Sequence, residues 1–557
     1  MQLTEEQQRI IAYVKQMKRG ERLKVEAKAG SGKTSTLVEV AKANPDKRFL
    51  YLAFNKAIVN EAKDKFPKNV VVKTTHSLAY GKIVTPLQKQ HRFRVQGKLT
   101  MFELKDYLVG HASFYKRFIK NVSEDDIRKD AKPYDWDAIA AVGHRYDAYL
   151  NSDEPEEDQP PLFRMISKAI RNHELSYTHS FYLKEYQLLR HHPEIDEQFD
   201  FILLDEAQDT NPVTMGIVND VRCAKILVGD SNQSIYAFRG AINALTTFDA
   251  DATLYLTCCF RCNQAIVDRA NYFFKKYDPS SHTFHPMFSG RPDGKSAGQS
   301  AAIIARTNTG LIAAFQELLH DVKRGKLSYD QIIFTRPPSE IFAPSLNVLK
   351  FWNGATTSEL ATPYRYFTQF HSLGELKGYA EETLSYEVML AIKLVEKYGS
   401  RIPAFYAKAQ GCTVCDFATG KHTITLTTAH SAKGLEFDEV ALLGDFNNLA
   451  EIQDQLKALI RTSAPAGDIK STIQSLYEET NLYYVATTRA RSVLFDLTPN
   501  SAEYDDEKAV KEEPDEDDLA ALSFKPRLFF LPDNKREEAM KELQAPPAKN
   551  RIQKRLE

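Results

Sequence analysis

The run Val25-Glu-Ala-Lys-Ala-Gly-Ser-Gly-Lys-Thr34 leaves the chain little choice of architecture. A short apolar lead precedes it, and Ser35-Thr-Leu-Val-Glu-Val-Ala-Lys42 continues it with the pattern of a helix. Strand, glycine loop, Lys-Thr and helix make the phosphate-cradling turn of a nucleotide-binding α/β domain. Gly30 and Gly32 let backbone N–H groups close around phosphate, in a loop completed by Ala29, Ser31 and Ser35. Lys33 supplies a point charge to the β- and γ-phosphates and Thr34 offers a hydroxyl to Mg²⁺. The helix N-terminus adds its partial positive charge. Ala27 stands where the general pattern carries its first glycine.

At 557 residues the chain is too long for one core. Its formal net charge is −1, so any nucleic-acid surface must be a local groove. Six scattered cysteines suit a reducing compartment. No apolar run approaches the roughly 18 residues of a membrane span, and no membrane partner is expected. The polar start Met1-Gln-Leu-Thr-Glu-Glu is unlike a signal peptide. The expected location is the cytoplasm, beside the nucleoid, for a prokaryotic or viral source and the nucleus for a eukaryotic one.

Taken in order, Thr4 and Gln7 read as the capping box of an opening helix. The Gln7 amide also suits adenine N6 and N7, and ahead of a phosphate loop it favours an adenine nucleotide. Phe49-Leu-Tyr-Leu-Ala-Phe-Asn55 and Val70-Val-Val-Lys-Thr-Thr-His-Ser77 read as parallel strands whose carboxyl ends carry Phe54, Asn55, Thr75 and His76 toward one edge. Taken singly, Phe54 and His76 also suit core packing. Phe199-Asp-Phe-Ile-Leu-Leu-Asp-Glu-Ala-Gln-Asp209 is a buried strand ending in carboxylates. There Asp205 would hold Mg²⁺ through water, and Glu206 would orient and deprotonate the attacking water. Past the next strand, Gln233 is placed to sense the γ-phosphate, while Tyr236, Phe238 and Arg239 suit stacking and backbone contact on a single strand.

These motifs resemble those of superfamily 1 helicases of the UvrD/Rep type. Ala29-Gly-Ser-Gly-Lys-Thr34, Asp205-Glu-Ala-Gln-Asp209 and Val228-Gly-Asp-Ser-Asn-Gln-Ser-Ile-Tyr236 are similar to three signature motifs in order. Leu254-Tyr-Leu-Thr-Cys-Cys-Phe-Arg261 resembles the motif whose aromatic, Phe260, stacks on adenine and whose Arg261 reaches the γ-phosphate. Thr427-Thr-Ala-His-Ser-Ala-Lys-Gly-Leu-Glu-Phe437 is similar to the motif that touches DNA, here through His430, and sets Glu436 on the ribose. Asn481-Leu-Tyr-Tyr-Val-Ala-Thr-Thr-Arg-Ala-Arg491 resembles the last motif, with Arg489 as arginine finger. Between the motifs, Lys73-Thr-Thr-His-Ser-Leu-Ala-Tyr-Gly81 and Val395-Glu-Lys-Tyr-Gly-Ser-Arg-Ile-Pro403 resemble the helicase portion of the F-box DNA helicases. Only two residues precede Leu3, so no F-box and no ubiquitin-ligase partner is expected. Phe238 stands where many UvrD-like enzymes carry Trp.

The resemblance implies an α/β fold of two RecA-like P-loop motor domains with parallel sheets, each with a mainly helical insertion. The first motor domain is expected at 1–85 and 166–245, with its insertion at 86–165. The second is expected at 246–349 and 421–500, with a reduced accessory insertion at 350–420. ATP with Mg²⁺ would close the cleft between the motors through Arg261 and Arg489, and hydrolysis would reopen it. The implied activity is ATP-driven 3′-to-5′ movement on single-stranded and tailed duplex DNA, including removal of recombinase filaments. The alternative is a nucleoprotein remodeller that unwinds little. Cys259-x-x-Cys262 and Cys412-x-x-Cys415 have zinc-like spacing, but the first pair flanks Phe260 and Arg261, so zinc is not expected. Residues 501–557 read as an acidic, solvated linker from Glu503 to Asp518 and a charged tail. Its apolar run Phe524–Pro532 either docks on the body or binds a protein partner.

Overall fold

Continuous apolar runs form the central strands, as burial on both faces of a parallel sheet requires. The computed structural model describes residues 3–53, 56–90, 93–111, 136–237, 242–277, 285–291, 300–382, 385–415 and 423–505. Two compact units divide the chain, Met1–Thr257 and Cys258–Glu557.

The first unit opens with helix α1, Glu5–Gln16, whose N-terminus is fixed by the reciprocal Thr4–Gln7 capping box. Its sheet has six strands: β1 Arg22–Ala27, β2 Phe49–Ala53, β3 Val70–Thr74, β4 Phe201–Leu204, β5 Ala224–Gly229 and β6 Ala252–Leu256. All pair in parallel, in the order β3-β2-β4-β5-β1-β6. Every residue of β2, β4 and β5 is buried. Helix α2, Lys33–Lys42, packs Leu37, Val40 and Ala41 into the core beneath β1.

A second, purely helical core belongs to the same unit. It gathers Leu104, Tyr146, Phe163, Ile166, Phe181 and Tyr186 from the helices Met101–Gly110, Trp136–Asn151, Pro161–Arg171 and His179–Leu188. The helical body therefore runs past the expected boundary at 165. The apolar stripes of the two later helices face it, which leaves only β4 onward for the sheet.

The second unit carries another six-stranded parallel sheet: Ser300–Ala305 (β9), Ile332–Phe334 (β10), Thr413–Val414 (β11), Thr423–Thr428 (β12), Phe437–Leu442 (β13) and Ala490–Asp496 (β14). The order is β11-β10-β12-β9-β13-β14. A two-stranded piece, Cys258–Cys259 (β7) with Phe288–Ser289 (β8), lies outside it. The segment 350–420 is no satellite: Leu360, Phe367, Leu376, Ile392 and Phe405 join Ile303, Phe334 and Leu426 in one core, and β11 extends the sheet. The unit boundary also falls one strand later than 245/246, because Leu254-Tyr-Leu256 pairs with β1.

Candidate active site

The carboxyl edge of the first sheet collects the groups that the strand pattern assigns to phosphate. β1 ends at Ala27 and the chain turns through Ala29, buried, to Gly30 and Gly32, whose φ values are +67° and +78°. Both conformations suit glycine, and Gly32 serves as N-cap of α2 without side-chain help. The first N–H groups of a helix lack partners within the helix, and such an end suits an anion. Ser31 Oγ is buried with no hydrogen-bond partner among the described residues, an acceptor-donor set that fits a phosphate oxygen. Ser35 is exposed on the outer face of α2.

Two carboxylates arrive at the end of β4. Asp205 is buried; its Oδ2 accepts from Tyr51 Oη at 2.5 Å and lies 3.5 Å from Thr34 Oγ1. Burial first, and the Glu206 charge second, push its carboxyl above the usual Asp range. Glu206 sits at φ +52°, an uncommon backbone for a non-glycine residue, and one that turns its side chain into the site. Its Oε1 lies 3.5 Å from Lys33 Nζ, and its Oε2 accepts from Gln208 Nε2 at 2.5 Å. A hydroxyl, a buried carboxylate, a lysine and a second carboxylate therefore converge. Thr34 and Asp205 fit hard-cation chemistry, which wants oxygen ligands.

Gln208 links this cluster to β5. Its Oε1 accepts from the Asp230 backbone N–H at 3.1 Å, and Asp230 Oδ2 accepts from Gln233 Nε2 at 2.8 Å. A Cβ at Gly229 would run into the Gln208 amide oxygen and crowd the Ala207 N–H, so the glycine leaves room for this bridge. Gln233 thus connects to Glu206 through two buried residues that the sequence reading quoted without assigning. Tyr51 was likewise only a strand residue. Its signal was a tyrosine amid the apolar run of β2, a phenol that needs a partner when buried.

Gln7 fulfils its capping role: Oε1 accepts from Thr4 N at 3.0 Å and Nε2 donates to Thr36 Oγ1 at 3.0 Å. That bond ties α1 to the first turn of α2. The residues expected on a nucleic-acid strand separate. Thr75 is buried at the start of the helix Thr75–Ala79, just past β3, and His76 follows it with surface exposed. Tyr236 is half-buried beyond β5. Phe54, Asn55, Phe238 and Arg239 lie outside the described residues.

The second unit brings Arg261, Glu436 and Arg489 together at the amino ends of β13 and β14. Arg261 Nε donates to Glu436 Oε2 at 2.7 Å and its Nη1 to Thr488 O at 3.4 Å, while Arg491 bonds the other Glu436 oxygen. Burial alone would raise the Glu436 carboxyl, but the Arg491 hydrogen bond and the Arg261 charge hold it below the usual range. Arg489 is 1% exposed and donates to Val485 O, Leu435 O and Thr488 Oγ1. Its hydrogen bonds go to neutral oxygens, and burial followed by the Arg261 charge pushes it down to about 9. Phe260 is half-buried against Gly290, where a side chain would meet its ring. His430 lies at the opposite edge, beyond the carboxyl end of β12. Cys259 and Cys262 share this turn, with the Cys262 N–H donating to Cys259 Sγ at 3.4 Å. Among the described residues no group of three or more His, Cys, Asp or Glu could hold a metal ion.

Comparison with known proteins bears on both units. Residues 3–252 match the UvrD/REP helicase N-terminal domain and residues 413–498 the UvrD-like helicase C-terminal domain. The chain is 29% identical over 543 residues to F-box DNA helicase 1 of Gallus gallus, which covers 89% of this chain and 49% of that protein. It is 30% identical over 537 residues to F-box DNA helicase protein 1 of Schizosaccharomyces pombe, covering 88% and 57%. ATP-dependent DNA helicase PcrA of Staphylococcus aureus is 24% identical over 501 residues, covering 70% and 64%. The chain spans about half the length of the two F-box relatives. No helix among the described residues is long and apolar enough to cross a membrane.

Proposed function

Because the chain belongs to the UvrD-like helicase family, we propose that it is an ATP-dependent DNA helicase that moves 3′ to 5′ on single-stranded DNA and separates duplex. The observation that carries this reading is the convergence of Thr34, Asp205, Lys33 and Glu206 around a turn with two left-handed glycines and an orphaned Ser31 hydroxyl. Thr34 and Asp205 would hold Mg²⁺, which supplies charge neutralisation on the β- and γ-phosphates. Lys33 and Glu206 give each other a countercharge; on this reading phosphate takes over the lysine, and Glu206 accepts the proton of the attacking water. The water oxygen bonds the γ-phosphorus as the bond to the β-γ bridging oxygen breaks. Gln233, coupled through Asp230 and Gln208, reports the γ-phosphate to the segment that carries Tyr236.

Arg261 and Arg489 are the cations assigned to the γ-phosphoryl group, Phe260 the platform for adenine and Glu436 the ribose acceptor. Arg489 suits that role because its buried guanidinium donates its hydrogen bonds to neutral oxygens and makes no ion pair of its own among the described residues. The name PcrA carries is that of an ATP-dependent DNA helicase, which supports the nucleotide and the track. Polarity, removal of recombinase filaments and a place in recombination and repair rest on the F-box helicase resemblance. The test is unwinding of duplexes with 3′ or 5′ tails of DNA or RNA, run beside a filament-stripping assay. Preference for a 5′ tail would overturn the polarity. Stripping without unwinding would make the protein a remodeller.

A further inference from the structure

Two histidines of the first unit share one phenol. Tyr182 Oη lies 3.2 Å from His76 Nδ1 and 3.1 Å from His179 Nδ1. The imidazoles stand edge to face with centroids 6.2 Å apart, and each is edge-on to the Tyr182 ring at 5.6 Å. Tyr182 is 2% exposed, whereas both histidines reach solvent. His76 stands just past the carboxyl end of β3, and His179 is the first residue of the helix His179–Leu188. Two elements far apart in sequence thus supply the pair, and the helical body is responsible for half of it.

A phenol carries one proton. It donates to one Nδ1 and accepts from the other, so the neutral pair holds opposite tautomers. The histidine that accepts carries its proton on Nε2 and offers one outward N–H. The other presents a bare Nε2. Neither Nε2 has a hydrogen-bond partner among the described residues. One added proton, taken on the bare Nε2, gives two outward donors and a positive charge without moving either ring.

We propose that His179 is a second phosphate contact beside His76, held in register by Tyr182, and that binding a backbone phosphate of single-stranded DNA takes up one proton at this pair. The proposal rests on the reading that the protein tracks DNA. Two donors on neighbouring rings can bracket the oxygens of one phosphate, and a phosphate in turn favours the protonated pair. In its absence the proton is held weakly: burial, then the neighbouring His179, lowers His76 below the usual histidine range.

Other charges near the pair have partners of their own. Tyr80 packs edge-on against Tyr182, and Lys82 on the same segment pairs with Glu194. On the helix of His179, Lys184 donates to Ser152 O and Glu154 O, and Glu185 accepts from Arg171 and Tyr177. Asp147 of Trp136–Asn151 faces Lys98 and His144, and Asp220 of Pro212–Asp220 pairs with Arg190. Lys73 on β3 is exposed. The proton-dependent part of the contact therefore falls on the two imidazoles.

The experiment measures affinity for a short single-stranded DNA against pH and salt, for wild type, His179→Asn and Tyr182→Phe, with nucleotide affinity and melting temperature as fold controls. Wild type should gain about tenfold more than His179→Asn between about pH 8 and pH 6, the worth of one charge-assisted hydrogen bond. The salt slope at the lower pH should fall by about 0.7 in the variant, as for one lost phosphate contact on a single strand. Tyr182→Phe keeps the ring and should flatten the same pH dependence while nucleotide affinity stays unchanged. A lower melting temperature with an unaltered pH dependence would assign Tyr182 to packing and overturn its role. If wild type binds DNA and His179→Asn shows the same pH and salt slopes, the proposal is wrong and the helicase reading survives. If wild type neither binds single strands nor gains ATPase from them, the helicase reading fails and this contact fails with it.

Discussion

Asp205 shows what a buried carboxylate costs a fold. Its carboxyl is fully enclosed, and the folded state holds its proton more tightly than the unfolded chain, whose Asp ordinarily titrates at 3.8. A group raised in this way opposes folding when ionised, and the penalty fades as pH falls through its folded value toward 3.8. Asp205→Asn should therefore raise the melting temperature near neutral pH, and the gain should shrink on acidification. The same variant should lose Mg²⁺-dependent ATP turnover. A variant less stable than wild type at neutral pH would show that the Tyr51 and Glu206 N–H bonds outweigh the buried charge. Arg489 is the opposite case, a buried cation whose hydrogen bonds go to neutral acceptors. Arg489→Ala should slow DNA-stimulated hydrolysis by about 10³–10⁵ while nucleotide affinity changes much less, since its charge is needed as the γ-phosphoryl departs. Arg489→Lys should rescue poorly, because three of its N–H groups already hold Val485, Leu435 and Thr488 in a fork that an ammonium cannot copy. Turnover within tenfold of wild type would remove Arg489 from the catalytic set.

At the level of elements, motif-bearing strand ends were legible and lateral packing was not. Strand, glycine loop and helix could be read from Val25 to Lys42 because each local preference agrees with the others. Gln208 escaped because its role depends on Gly229, on a strand that is adjacent only after folding. The first three residues of the stretch taken as solvated linker, Glu503–Asp505, are a clearer miss. Residues 501–505 are helical, and Glu503 accepts from Tyr272 Oη at 2.9 Å and Tyr277 Oη at 2.5 Å, and pairs with Lys276. Asp505 bonds Arg269 at 2.9 Å, and the Tyr504 ring lies 4.5 Å from that guanidinium. Charge pattern alone could not reveal this, since the complementary Arg269, Tyr272 and Lys276 stand on the distant helix Gln264–Tyr277. Truncation after Ala502 should lower the melting temperature by about 4–8 °C relative to truncation after Asp505, from roughly 2 kcal/mol of partly buried hydrogen bonds and ring contact. Equal melting temperatures for the two truncations would return Glu503–Asp505 to the linker.

Across the whole molecule, each unit is built on a six-stranded parallel sheet, and strand order sets how far apart the strand-end motifs lie. The sequence names the strands that end in Thr34, Asp205, Gln233 and His76, but not their neighbours, because motifs record the chain and not the sheet. In the first unit β5, β4 and β2 intervene between β1 and β3. At about 4.8 Å per strand the phosphate loop and the His76 pair stand roughly 19 Å apart along one edge. That exceeds the Debye length of about 8 Å at physiological salt, so the lysine charge is largely screened at the histidines. Lys33→Ala should therefore abolish ATP hydrolysis yet leave single-strand affinity, measured without nucleotide, within about threefold of wild type, which is less than one charge-assisted hydrogen bond. On the proposed reading, communication between the two places would run through bonded contacts, of which Glu206–Gln208–Asp230–Gln233 crosses from β4 to β5. Gln208→Ala separates this from simple loss of a catalytic group, because it removes the bridge and leaves Lys33, Asp205 and Glu206 in place. It should retain nucleotide affinity and single-strand binding while losing most of the stimulation of ATPase by DNA. Stimulation equal to wild type would show that the strand signals to the nucleotide by another route, and parallel loss of nucleotide affinity would show that Gln208 merely holds Glu206 in its strained conformation.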